Sequence, residues 1–221
     1  MTRRPFRGFW GQNNKIANVE ELRFWDYQPL TADAGSVVLY YFPTAVHMLT
    51  VSAIITKIRS EVVRIGDDDE LSETMLTIPS PTLSFGANFQ MPDGALEPRQ
   101  AFLHGLPNVV VHAAYTESWS HLEQKLRNYM IPTTAVQVAI GIKIFRTERR
   151  VMIFQRVDDH TFFEDVLDLS KIEPGSINIP VRTLYHGCSI PIPLVGQEDD
   201  EIEIGLNWLQ GLINEFELRV W

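Results

Sequence analysis

Met91-Pro92-Asp93-Gly94 is followed by Val109-Val110-Val111-His112-Ala113-Ala114-Tyr115 and a polar helix bearing Lys125 and Tyr129. Next comes the run from Val136 to Phe145, and this succession decides the fold. The first piece is a turn signature, since proline presets φ and Asp and Gly accept turn conformations. Val109–Val111 is β-branched and apolar on both faces, as a central strand must be. Ser118 suits an N-cap, and Trp119, Leu122, Leu126 and Met130 recur at helical spacing. Pro132 ends that helix. Val136–Phe145 begins as a buried strand and becomes two-faced near Lys143, and a hairpin turn at Arg149-Arg150 leads into Val151–Gln155. Turn, strand, helix, strand predicts an α/β domain, with the two strands neighbouring and central.

Upstream, Val37–Phe42 reads as a short strand closed by Pro43. Thr44 can cap a helix whose apolar stripe (Val46, Leu49, Ile54, Ile55, Ile58, Val62) runs to about Ile65. His47 and Glu61 lie on it. Thr74–Ile78 alternates as a strand does, and Leu83–Phe89 reads as a second strand or hairpin arm. Downstream, Asp158–Asp165 reads as a loop or strand edge. Ile177–Pro180 through Ile190–Pro193 suits edge strands, and a last helix spans about Ile204 to Glu217.

The 221 residues fit one domain, residues 37–221, preceded by an arm over residues 1–36 packed on it. The arm interleaves arginines with Phe6, Phe9, Trp10, Phe24 and Trp25, a mixture that also suits single-stranded nucleic acid. Composition is ordinary for a globular chain, 45% hydrophobic and 21% charged. No apolar run is long enough for a membrane span, so no membrane partner is expected. No apolar segment follows the basic start, so an intracellular location, cytoplasmic or nuclear, is expected. Cys188 is the only cysteine, which excludes a disulfide framework and a thiolate metal site. The net charge of -9 leaves no overall basic footprint for nucleic acid. Much of that acid is local, in Gly66–Glu70 and Gln197–Glu201, both expected to be solvated loops.

The order and spacing of these motifs, over about half the chain from Leu83 to Gln155, resemble the core of the PD-(D/E)XK nuclease superfamily. The likeness is nearest to small nuclease-like proteins of fungal genomes and a related bacterial family. It implies a restriction-endonuclease-like core: a mixed central sheet flanked by helices, here with an N-terminal arm and a C-terminal strand-and-helix extension. It also implies divalent-metal-dependent phosphodiester cleavage of DNA, with Mg²⁺ or Mn²⁺ held by two carboxylates beside a lysine. Asp93 matches the first carboxylate. His112 stands where the second, a glutamate, belongs. Lys125 and Tyr129 match the helix series, whose leading aspartate is here His121.

Two readings follow. His112 is a substituted ligand, better suited to Zn²⁺, Mn²⁺ or Ni²⁺ than to Mg²⁺. Otherwise the site has decayed, and the fold survives as an inactive interaction module. Such a module would bind nucleic acid, or form a homodimer through surface aromatics such as Trp119 or through the C-terminal helix. Glu117 is a third source of the missing carboxylate if it turns back from the helix mouth, and Glu61 is a candidate extra ligand from the first helix. As bare residues, Glu117 suits a first helical turn and Glu61 a solvated helix face.

Overall fold

The computed structural model describes residues 25–29, 35–39, 45–85, 88–100, 107–115, 117–145, 148–171 and 175–220. Residues 1–24 and 30–34 of the expected arm, the last part of the expected Val37–Phe42 strand and the expected cap Thr44 lie outside them. The chain forms β1 (Trp25–Pro29), β2 (Gly35–Leu39), α1 (Ala45–Gly66), a 3-10 turn (Asp69–Thr74), β3 (Met75–Pro79), β4 (Leu83–Phe85), β5 (Asn88–Gln90) and β6 (Gly94–Pro98). Then come β7 (Val109–Ala114), α2 (Trp119–Tyr129), β8 (Val138–Phe145), β9 (Glu148–Arg156) and β10 (Phe162–Asp168). Last are β11 (Ser176–Pro180), the short α3 (Val181–Leu184), a 3-10 turn (Ile192–Leu194), β12 (Glu201–Gly205) and α4 (Leu206–Val220).

The main sheet has six strands in the order β10-β9-β8-β7-β6-β3. Only β7 and β8 are parallel, with Val109 opposite Val138 and Ala114 opposite Lys143, and α2 is the crossover between them. They are the two middle strands and are buried on both faces, which is why each reads as a continuous apolar run. Odd residues of β7 and even residues of β8 (Val109, Val111, Ile140, Ile142) share one core with α1, α4 and the β11–β12 hairpin. Even residues of β7 and odd residues of β8 turn the other way, where Val110 and Ala139 meet Leu126 and Tyr129 of α2. A second sheet, β2-β1-β5-β4, leads through β5 into the Met91–Asp93 turn.

Two glycines set how closely the helices approach. A Cβ at Gly94 would sit 2.7 Å from Ile55 and Val51 of α1, and one at Gly141 would sit 2.6 Å from Leu126 of α2. Gly141 is paired with His112, so α2 closes on the sheet beside that histidine.

Several local expectations differ from the structure. Arg149 and Arg150 lie inside β9, opposite Ile144 and Lys143, and do not form the hairpin turn. Ile192–Leu194 is a 3-10 turn, because the flanking prolines leave few N–H groups for a ladder. Glu201 and the residues after it form β12, paired with β11, so the acidic run is partly strand and the last helix starts at Leu206. The polar, aromatic stretch after Asp158 resolves into β10, an edge strand whose outer side chains stay exposed.

Gly141→Ala should overpack the α2 interface and cost about 1–3 kcal/mol of stability. Urea unfolding followed by tryptophan fluorescence measures this, and an unchanged midpoint would contradict the close approach.

Candidate functional site

Asp93 is the last residue of the turn before β6. Its N–H donates to the Val111 carbonyl at 3.1 Å, extending the β6–β7 ladder one step past Gly94. Pro92 has no N–H with which to carry the ladder further. The next inward N–H of β7, that of Ala113, donates instead to Oδ2 of Asp93 at 2.8 Å. The carboxylate therefore closes the frayed end of a strand pair.

Two imidazoles meet the same oxygen. Nε2 of His47, in the first turn of α1, lies 3.2 Å from Oδ2. Nδ1 of His112, on β7, lies 3.3 Å from it. The other ring nitrogen of His112 is 3.0 Å from the Tyr129 hydroxyl, and the two rings stack with centroids 5.6 Å apart. This pattern fits Nδ1–H donating to Asp93 while Nε2 accepts from Tyr129. His112 is 2% exposed and both of its nitrogens are committed. Burial pushes the Asp93 carboxyl up, but the hydrogen bonds and charges of His112 and His47 outweigh it and hold the group well below the ordinary carboxylate range. For His47 burial opposes the charged form, yet the hydrogen bond and charge of Asp93 prevail and raise its pKa.

A second cluster lies along α2. Lys125 is buried, and its Nζ is 3.1 Å from Oε1 of Glu117. The same oxygen is 2.8 Å from Nδ1 of His121. Lys125 also stands close enough to His47 for its charge to oppose protonation there. Of the residues singled out from sequence, Asp93 and His112 touch, Lys125 is within electrostatic reach, and the carboxylate of Glu117 faces Lys125 and His121. Glu61 is bound to Lys57 and Arg64, both at 2.7 Å. It lies fourteen residues beyond His47 on α1, about 21 Å along the axis, and so is not brought to the site. His47 is the site residue that sequence reasoning passed over. The helical stripe gave no hint that the first turn of α1 abuts the Pro92-Asp93 turn.

The donor set does not suit Mg²⁺. A hard cation needs several oxygen ligands. Here a single carboxylate oxygen already accepts three N–H groups, and the Glu117 carboxylate is paired with Lys125. Among the described residues no group of three or more His, Cys, Asp and Glu side chains is arranged to hold a metal ion.

The two pKa shifts give a pH dependence. The depressed Asp93 contributes stability that is full above its unfolded value near 3.8 and is lost as pH falls through its lower folded value. The raised His47 contributes stability that is full below its unfolded value near 6.5 and is lost as pH rises through its folded value. The advantage of the parent over Asp93→Asn should therefore peak between about pH 4 and 6.5. Its size should be about 1.5–3 kcal/mol, as for hydrogen bonds to a charged group. Chemical denaturation from pH 4 to 9 tests this, and a difference that is flat with pH would contradict the His47–Asp93 linkage.

No family model and no curated protein matches this sequence. Among solved structures, the fold is similar to a crystal structure from Anabaena variabilis provisionally described as a nuclease belonging to DUF820. The TM-score is 0.53 at 12% identity, over 86% of this chain and 90% of that one. The likeness shows the architecture: a mixed α/β domain of restriction-endonuclease-like fold, with a six-stranded mixed sheet between helices.

Proposed function

We propose that this chain is a nuclease-fold protein in which divalent-metal-dependent cleavage of DNA no longer operates, and which serves as a catalytically inactive binding module. The observation that carries the reading is His112. It occupies the place of the second carboxylate, it is buried, and it is bonded at both nitrogens, to Asp93 and to Tyr129. A ligand in that state has no lone pair to offer a cation. The provisional nuclease description of the Anabaena protein supports descent from cleaving relatives. The other reading keeps His112 as a substituted ligand for Mn²⁺ or Zn²⁺, cations that imidazole suits better than Mg²⁺.

Thermal unfolding with and without Mg²⁺ separates these readings. The parent should not respond to 10 mM Mg²⁺. His112→Glu places two carboxylates together, which repel in the absence of metal, so this variant should start less stable than the parent. It should then gain from Mg²⁺. For a dissociation constant near 1 mM the gain is about 1.4 kcal/mol, or roughly 3–6 °C in Tm for a chain of this size. Adding Asp93→Ala to His112→Glu should remove the response. Mg²⁺-dependent stabilisation of the parent that vanishes in Asp93→Ala, or Mg²⁺-dependent nicking of plasmid DNA, would overturn the proposal. The same behaviour with Mn²⁺ or Zn²⁺ alone would favour the substituted-ligand reading.

A further inference from the structure

β6 runs from Gly94, beside Asp93, to Pro98, and at the Pro98 end a cavity of about 200 Å³ opens. Thr74, Pro98, Tyr185 and Pro191 line it, with Glu73 and Arg99 beside them. The Thr74 and Tyr185 hydroxyls bond to each other at 2.7 Å, and Thr74 donates onward to the Leu71 carbonyl. These polar groups are thus satisfied within the wall, which offers a guest mainly carbon. Next to Pro191, Ile192 is 87% exposed. Arg99 is matched in place: it donates to the Glu73 carbonyl at 2.7 Å and to the Glu73 carboxylate at 3.2 Å. An apolar cavity of this size holds one aromatic ring, since about 150 Å³ suffices for benzene.

Charge decides the kind of guest. The 3-10 turn Asp69–Thr74 ends in the cavity wall, and its first turn is acidic. Leu194, three residues past Pro191, packs against Gly66 at the end of α1, so the acidic run after Gln197 comes to the same end of the molecule. Among the described residues no cation pairs with Asp67, Asp68, Asp69, Glu70, Glu198 or Asp200. A surface of one sign repels itself and attracts a guest of the other.

The sequence holds a segment of the opposite sign. Its first fifteen residues carry Arg3, Arg4, Arg7 and Lys15 and no carboxylate, and Phe6 stands between Arg4 and Arg7. The described chain starts at Trp25 in β1, whose sheet leads through β5 to the Asp93 turn. From His47 at that turn, the far end of α1 is about 28 Å away along the axis. Phe6 lies nineteen residues before Trp25, up to about 60 Å of extended chain, so the tether is long enough. We infer that the N-terminal arm docks on this end of its own domain, with the Phe6 ring in the cavity and Arg3, Arg4 and Arg7 over the acidic runs. A tethered segment binds at high effective concentration, so one ring and a few exposed ion pairs suffice. The surface is remote from Asp93, and the inference does not depend on whether that site cleaves DNA.

Chymotrypsin cleavage of the full chain after Phe9 and Trp10, read by mass spectrometry, tests this, because a docked segment resists the protease. The parent should be cut slowly at low salt and faster at high salt, which screens exposed charge. Phe6→Ala empties the cavity, and Ser189→Trp fills it from an exposed residue of its lining; each should speed cleavage about tenfold. Asp69→Lys with Glu70→Lys should do the same, and adding Arg3→Glu with Arg4→Glu should restore the slow rate, because the pairs re-form with opposite signs. Asp69, Glu70 and Ser189 are exposed, so Tm should stay near that of the parent. A parent cut as fast as its variants overturns the inference and leaves the cavity to a separate basic segment. Slow cleavage that no substitution changes, or no recovery on reversing both signs, overturns it too. Protection that is lost on dilution places the arm on a second copy and overturns it as well.

Discussion

One oxygen atom, Oδ2 of Asp93, ties the turn before β6 to two other parts of the chain, β7 and the first turn of α1. The Ala113 amide brings β7, the His112 ring brings the face toward α2, and the His47 ring brings the first turn of α1. Hydrogen bonds to an ionised acceptor are worth roughly twice neutral ones, and partial burial strengthens them further. The geometry follows from the turn. Proline at position 92 ends the ladder, and Asp93, its last rung, turns its carboxylate onto the N–H that the ladder leaves open. Gly94 and Gly141 then let both helices close in, so His47 and Tyr129 arrive from opposite faces of the sheet.

The charges around this oxygen form local pairs. Asp93 faces His47, whose proton affinity it raises. Lys125 faces Glu117, which also holds His121. Neutral pairs of this kind can be buried where lone charges cannot, because each charge offsets the desolvation of its partner. An imidazole at position 112 fits the pattern, since it adds a donor to Asp93 and no second negative charge. Lys143 departs from it. Its ammonium rests on two backbone carbonyls, and among the described residues no carboxylate pairs with it.

The middle of the fold was legible in sequence because its signals are local. β7 and β8 are apolar on both faces, Ser118 caps α2, and the spacing of Leu122, Leu126 and Met130 marks its buried side. The pairing of Asp93 with His112 was legible through the resemblance, which aligns a turn with a strand. The rest was not, for identifiable reasons. β12 hides in an acidic run because its ladder partner β11 makes it a strand, whatever its own propensity. His47 joins the site only because α1 crosses the end of β6 and β7, and a helical stripe records which face is buried without recording what its first turn abuts. The bond from His112 to Tyr129 spans a crossover, so residue spacing alone could not join them.

That last bond bears on how a site of this kind changes. The Tyr129 hydroxyl meets an imidazole nitrogen. A glutamate at 112 would accept from the same hydroxyl, so histidine and glutamate there would make the same bond and differ in charge. The exchange removes the repulsion that two facing carboxylates suffer without a cation. It also adds an N–H for Asp93 where a cation would otherwise be needed to hold the two groups together. His112 thus supplies an attraction internal to the fold. Because it satisfies Asp93 and Tyr129 together, it holds the helix, strand and turn in their places.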